Sequence, residues 1–120
     1  MRRMENELTD ATSQWMLLLL TLKALDLFEQ MHAYGLARII EQMTAYESDV
    51  HSAATQKLLE RLEEIEVVRS GWGLTGQGRR VRFYRLTDYG RHYFVQRKQE
   101  WEKKVVMINT CFSLTIEDLM

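Results

Sequence analysis

Five arginines crowd into one short stretch, Gly78-Arg79-Arg80-Val81-Arg82-Phe83-Tyr84-Arg85-Leu86-Thr87-Asp88-Tyr89-Gly90-Arg91. A guanidinium group is planar and permanently charged, and it grips a phosphate through two parallel N–H bonds. The chemistry this density implies is electrostatic capture of a nucleic-acid backbone rather than bond making. Other reactive side chains are scattered. His32, His51 and His92 have no metal-ligand spacing with one another or with Cys111. His51 precedes Ser52 directly, but no acid or oxyanion arrangement accompanies the pair. Glycines 71, 73, 76 and 78 do not spell a phosphate-binding loop and instead suit a hairpin turn. No catalytic residue, metal site or cofactor is expected, and the chain does not read as an enzyme.

The charge of the 120 residues is unevenly spread, although the net value is only −1. Residues 1–66 hold 6 basic and 12 acidic side chains, for −6. Residues 67–104 hold 10 basic and 3 acidic, for +7, and residues 105–120 add two acids, for −2. Positive potential therefore gathers on the arginine stretch and on the helical residues after it. A pI near 6.3 argues against indiscriminate nucleic-acid binding but not against a focused basic patch. A solvated charged face is the plainer reading of the same numbers.

Those arginines need a frame. Val67-Val68-Arg69-Ser70-Gly71-Trp72-Gly73 reads as a short strand, and the glycine-rich turn and the arginine strand after it complete a β-hairpin. Strand alternation sets Val81, Phe83 and Arg85 on one face and Arg82 and Tyr84 on the other, so Arg82 is preferred over Arg85 as a DNA contact. Thr9 or Asp10 offers an N-cap for a first helix running to about residue 28. Trp15, Leu18, Leu19, Leu22 and Leu25 follow helical spacing, and Met16, Leu17 and Leu20 widen the apolar surface enough for two packing partners, its own core and a second subunit. A second helix is expected over 33–43, with Leu36, Ile40 and Met43 on one face. A third, capped by Ser52, is expected over 53–65, burying Leu58, Leu62 and Ile65 and exposing Thr55, Gln56 and Lys57 near its tip. Thr87 or Asp88 starts a last helix running to about residue 109, on which Phe94, Trp101, Val105, Ile108 and Phe112 recur. About 20 residues span roughly 30 Å, more than one small domain needs, which suits a dimer contact.

The single cysteine, the lack of a membrane-length apolar run and an N-terminus that mixes Arg2 and Arg3 with Glu5 and Glu7 place the chain in a reducing cytoplasm, with no membrane partner.

The order helix–helix–helix–hairpin–long helix resembles the PadR family of winged helix-turn-helix transcriptional regulators. The stretch from Gly78 to Gly90 is similar to that family's G-R-R-x-x-Y-Y-R-L-T-x-x-G signature. Met31-His32-Ala33-Tyr34-Gly35-Leu36-Ala37 is similar to its H-G-Y-G-I segment, and Leu59-Glu60-Arg61-Leu62-Glu63 to its L-x-R-L-E helix end. The resemblance runs over about residues 15–108. It departs at Thr55-Gln56-Lys57-Leu58-Leu59, where the family has L-Y-P-A-L, and at Ala33, where glycine is usual.

The resemblance implies a mainly α fold with a small hairpin: a winged helix-turn-helix domain over 1–87 and a C-terminal dimerisation helix over 88–120, in one structural unit. It implies a cytoplasmic homodimer bound to double-stranded operator DNA, acting as a repressor. The third helix would enter the major groove, with Gln56 pairing adenine and Lys57 guanine, and with Ser52 and Thr55 serving bases or phosphates. Tyr34 would touch phosphate or else sit as a half-buried aromatic. Arg79, Arg80 and Arg82 would hold phosphates or reach the minor groove. Phe94, Trp101, Val105 and Ile108 would form the dimer interface. In some small family members a tryptophan on the last helix stacks flat aromatic drugs at the dimer centre. Trp101, with Trp15, could form such a ligand site, or Trp101 could simply pack the interface. The altered third helix leaves an alternative: a winged-helix dimer that binds another protein, with weak or no specific DNA binding.

Overall fold

A computed structural model describes residues 2–47 and 50–120, with side chains of the first helix from Gln14 onward. Its elements are α1 (Arg2–Phe28), α2 (Ala33–Met43), α3 (Ser52–Glu64), β1 (Val68–Leu74), β2 (Arg80–Leu86), α4 (Asp88–Phe112) and α5 (Ile116–Leu119). The chain is thus mainly helical, with one antiparallel hairpin and a long last helix. Among the described residues no helix is long and apolar enough to cross a membrane.

α1 is the hub. Thr21, Leu22, Ala24 and Leu25 are fully or almost fully buried. Leu22 and Leu25 join Leu36, Leu59, Leu62, Val67, Val68, Tyr84 and Leu86 in the main core. On another side of α1, Leu17 and Leu20 pack against Ala37, Ile40 and Val50. The wide apolar surface read from the sequence therefore serves two clusters of its own chain. α1 starts at Arg2 rather than at Thr9 or Asp10. Arg, Met, Glu and Leu before Thr9 are strong helix formers, so the helix continues through the expected caps.

α2 and α3 are tied by a charged clip. The buried carboxylate of Glu41 accepts the Val50 N–H at 3.2 Å and pairs with Arg38 at 2.9 Å. Arg38 also donates to the Val50 carbonyl at 2.9 Å, so α2 side chains hold both backbone groups of Val50, just before α3. His32 caps α2, its Nδ1 accepting the Gly35 N–H at 3.0 Å. α3 begins one residue earlier than expected: His51 is the N-cap and Ser52 the first helical residue. Its buried stripe is Thr55, Leu59 and Leu62, while Leu58 is only partly buried and Ile65 is exposed. Ile65 follows the helix end at Glu64 and falls on the Leu58 side of that stripe, and Glu66 then turns the chain with a φ of 62°. Met43, expected on the buried face of α2, is likewise exposed, and Glu41 takes a buried place there.

In the hairpin Val68 pairs with Leu86, Trp72 with Arg82 and Leu74 with Arg80. Thr75 and Gly78 close the turn through a 2.8 Å backbone bond, and Gly78 supplies the positive φ of 79° that the turn needs. Met31 exchanges two backbone hydrogen bonds with Tyr84, which fastens β2 to the α1–α2 connection. α4 is capped by Thr87, whose hydroxyl accepts the Gly90 N–H at 2.9 Å and donates to the Glu66 carbonyl at 2.6 Å. Gly90 lies against the Val67 carbonyl so closely that any Cβ would collide with it. α4 then runs to Phe112, past the expected end, and the tail forms the short helix α5.

Candidate nucleic-acid interface

The start of α2, the start of α3 and the hairpin enclose an open groove of about 1200 Å³. Tyr34, Ser52, Gln56, Arg79, Arg80 and Arg82 all line it. Six of the eight residues singled out from sequence for DNA contact therefore meet in one place. The local causes are separate. The His32 cap starts α2 so that Tyr34 stands on its first turn, 62% exposed. α3 phase turns Ser52 and Gln56 toward the hairpin. On β2, Arg80 and Arg82 share a face with Tyr84 and Leu86, which are buried at the strand's other end.

Two residues fall elsewhere. Thr55, expected at the exposed tip, is fully buried. It lies four residues before Leu59 on the core stripe, and its hydroxyl is turned back to the His51 carbonyl at 3.4 Å. Lys57 is exposed but sits one helical step, about 100°, round from Gln56. It lines a separate cleft of about 420 Å³ with Trp15, Leu18, Leu58 and Arg61, between α1 and α3.

The hairpin side of the groove is basic without internal compensation. Among the described residues Arg79, Arg80 and Arg82 form no ion pair with a carboxylate. Arg80 and Arg82 instead lie over the Trp72 ring, 4.6 and 5.2 Å from its centroid. Arg38 stands 5.3 Å over the Tyr34 ring. Such an arrangement can hold a polyanion, because Arg80 and Arg82 are oriented by the ring yet still owed a counter-charge, while Arg38 is already paired with Glu41.

Gln56 is less free than the sequence implied. Its amide nitrogen donates to the Tyr84 hydroxyl at 2.9 Å and to Glu60 Oε1 at 3.0 Å. Both donor positions are spent inside the chain, so pairing with an adenine edge requires exchanging at least one of these bonds.

Sequence reasoning missed Arg38 and Trp72 as groove residues. Both left a signal. Arg38 follows Tyr34 by four residues, one turn of a helix. Trp72 faces Arg82 as soon as the strands are counted outward from the turn.

Between α1 and α4, Trp15 and Trp101 stack with ring centroids 6.4 Å apart and planes at 27°. Lys104 lies 5.6 Å over the Trp15 ring. Phe94 packs against the main core of its own chain, whereas Val105, Ile108 and Phe112 are exposed further along α4.

The description "Transcriptional regulator PadR-like family" belongs to a family model that matches residues 21–96, more than half of the chain. Among solved structures, a transcriptional regulator from Clostridium thermocellum is similar at 22% identity and a TM-score of 0.72, over 85% of this chain and 94% of that one. A PadR family regulator from Eggerthella lenta is similar at 15% identity and a TM-score of 0.69, over 96% and 100%. A PadR-like regulator from Bacillus cereus aligns at 17% identity and a TM-score of 0.63, over 81% and 94%. No curated protein sequence matches the chain.

Proposed function

This chain belongs to the PadR-like family of transcriptional regulators, and from that premise we propose that it binds double-stranded operator DNA as a homodimer and represses transcription in the cytoplasm. The observation that carries the reading is the groove in which Arg79, Arg80 and Arg82, without acid partners among the described residues, face Tyr34, Arg38 and Gln56. The tip of α3 enters the major groove with Ser52 and Gln56, and the wing holds backbone phosphates or reaches the minor groove. Residues 1–87 act as the DNA-binding unit and 88–120 as the dimerisation helix. The exposed Val105 and Ile108 support that assignment, since a helix leaving an apolar face in water gains by pairing it. A two-fold dimer places two half-sites about one turn of DNA, roughly 34 Å, apart. The stacked Trp15 and Trp101 supply a π surface on which a small aromatic effector docks and releases the operator.

Anisotropy of a labelled duplex tests the DNA reading, using the promoter of the protein's own gene against a scrambled control across a salt series. Replacing Arg79 and Arg80 together with alanine should weaken binding to both duplexes and lower the slope of log affinity against log salt by about two, near 0.9 for each phosphate no longer neutralised. Unchanged binding would remove the wing from the interface.

One observation favours a second reading, a winged-helix dimer that binds another protein. The amide of Gln56 is already committed to Tyr84 and Glu60. Under that reading promoter and scrambled DNA bind equally, or not at all, at moderate salt.

A further inference from the structure

Trp72 is 61% exposed on the outer half of the hairpin. Two cations lie over its ring and leave the rest of the indole open to solvent. Arg82 is its cross-strand partner and Arg80 stands two residues along on the same face. Their guanidinium carbons lie 5.2 and 4.6 Å from the ring centroid. Like charges at this spacing repel each other, and the negative face of the indole offsets that repulsion. Arg79, in the turn, makes no ring contact among the described residues, nor do Arg69 and Arg85 on the opposite face of the sheet. The support is therefore specific to the pair that faces the groove.

We propose that Trp72 is a positioning residue that makes the wing a reader of minor-groove width. It holds Arg80 and Arg82 together on one face of the wing, ready to enter a narrow, A·T-rich minor groove flanking the major-groove site. The inference rests on the DNA-binding reading above. Narrow A·T tracts concentrate negative potential and attract inserted arginines, and they lack the guanine amino group on the groove floor. Two arginines fixed before binding lose less side-chain freedom when they insert, so the benefit is largest where both must enter together. Phosphate contact alone tolerates arginines that swing freely. Discrimination between flanks, more than affinity for DNA in general, depends on the indole.

The test compares two duplexes with one central sequence and either A-tract or G·C flanks, with binding read by anisotropy and the fold of each variant checked by circular dichroism and thermal melting. The wild-type protein should prefer the A-tract duplex. Trp72→Leu should lose about tenfold on it and less on the G·C duplex, with the salt slope unchanged because no charge has been removed. Trp72→Phe, which keeps a π face, should stay within about threefold of wild type. In an Arg80→Ala/Arg82→Ala background, Trp72→Leu should cost less than about twofold, because nothing remains for the ring to position. No loss in Trp72→Leu, an equal loss on both duplexes, or an additive loss in the double-arginine background would each overturn the proposal while leaving the DNA reading intact. Failure of the wild-type protein to bind either duplex would overturn both.

Discussion

On α4 each arginine has a carboxylate within reach: Arg91 pairs with Asp88 at 3.1 Å and Arg97 with Glu100 at 2.7 Å, while Lys98 stands 4.0 Å from Glu102. On the hairpin, Arg79, Arg80 and Arg82 have no such partner among the described residues. The two regions together make up the +7 of residues 67–104, so a count of charges treats them alike. The geometry separates their arginines, although Lys104 on α4, over the Trp15 ring, likewise has no carboxylate partner among the described residues. Neighbours three or four apart on a helix neutralise one another, and exposed pairs of that kind are worth little beyond keeping the helix soluble. Cations stacked on an aromatic ring keep their full charge toward solvent. The lesson is that a basic segment points to a polyanion partner only where its charges lack partners within the chain.

The comparison can be broken by making the hairpin resemble the helix. Leu74 is exposed and lies directly opposite Arg80. Leu74→Glu gives that arginine a carboxylate of its own, as Arg97 has. DNA affinity should fall about tenfold and the salt slope by about one, although every arginine remains. An unchanged affinity in the same anisotropy titration would mean that pairing is not what distinguishes the regions. A smaller effect should follow at the joint between them. Thr87→Ala removes the hydroxyl that caps α4 and reaches the Glu66 carbonyl, and should cost about 1 kcal/mol in urea unfolding. A loss well beyond that would mark the joint as part of the core. The smallest effect is expected from making the helix resemble the hairpin. Glu100→Gln frees Arg97, yet affinity for DNA should move by less than about twofold, because α4 cations do not line the groove. A clear gain would place α4 on the DNA.

What the sequence revealed was mostly local. The Thr87 cap, the glycine turn and the crowding of arginines each depend on residues close in the chain, and each is seen in the structure. The face of β2 that carries Arg82 also followed from simple alternation. The phase of α3 did not. Leu58 and Leu59 are both apolar, so the run around them permits two stripes a residue apart. Packing against α2, with α1 and β1 beside it, selects the stripe with Leu59, which takes Thr55 into the core with it. The tether of Gln56 was beyond local reading because Tyr84 lies 28 residues away. Trp72 could be placed opposite Arg82 by counting, but its distance from the guanidinium groups depends on rotamers that no spacing fixes.

Gly90 has a mechanical side. The first turn of α4 is pressed against the Val67 carbonyl at the base of the hairpin, with no room for a side chain between them. The helix that starts there is 25 residues and about 37 Å long, and Phe94 and Trp101 hold its first half to the core and to α1. The helix, hairpin base and core therefore move as one body, so whatever grasps the far end of α4 sets where the whole hairpin stands.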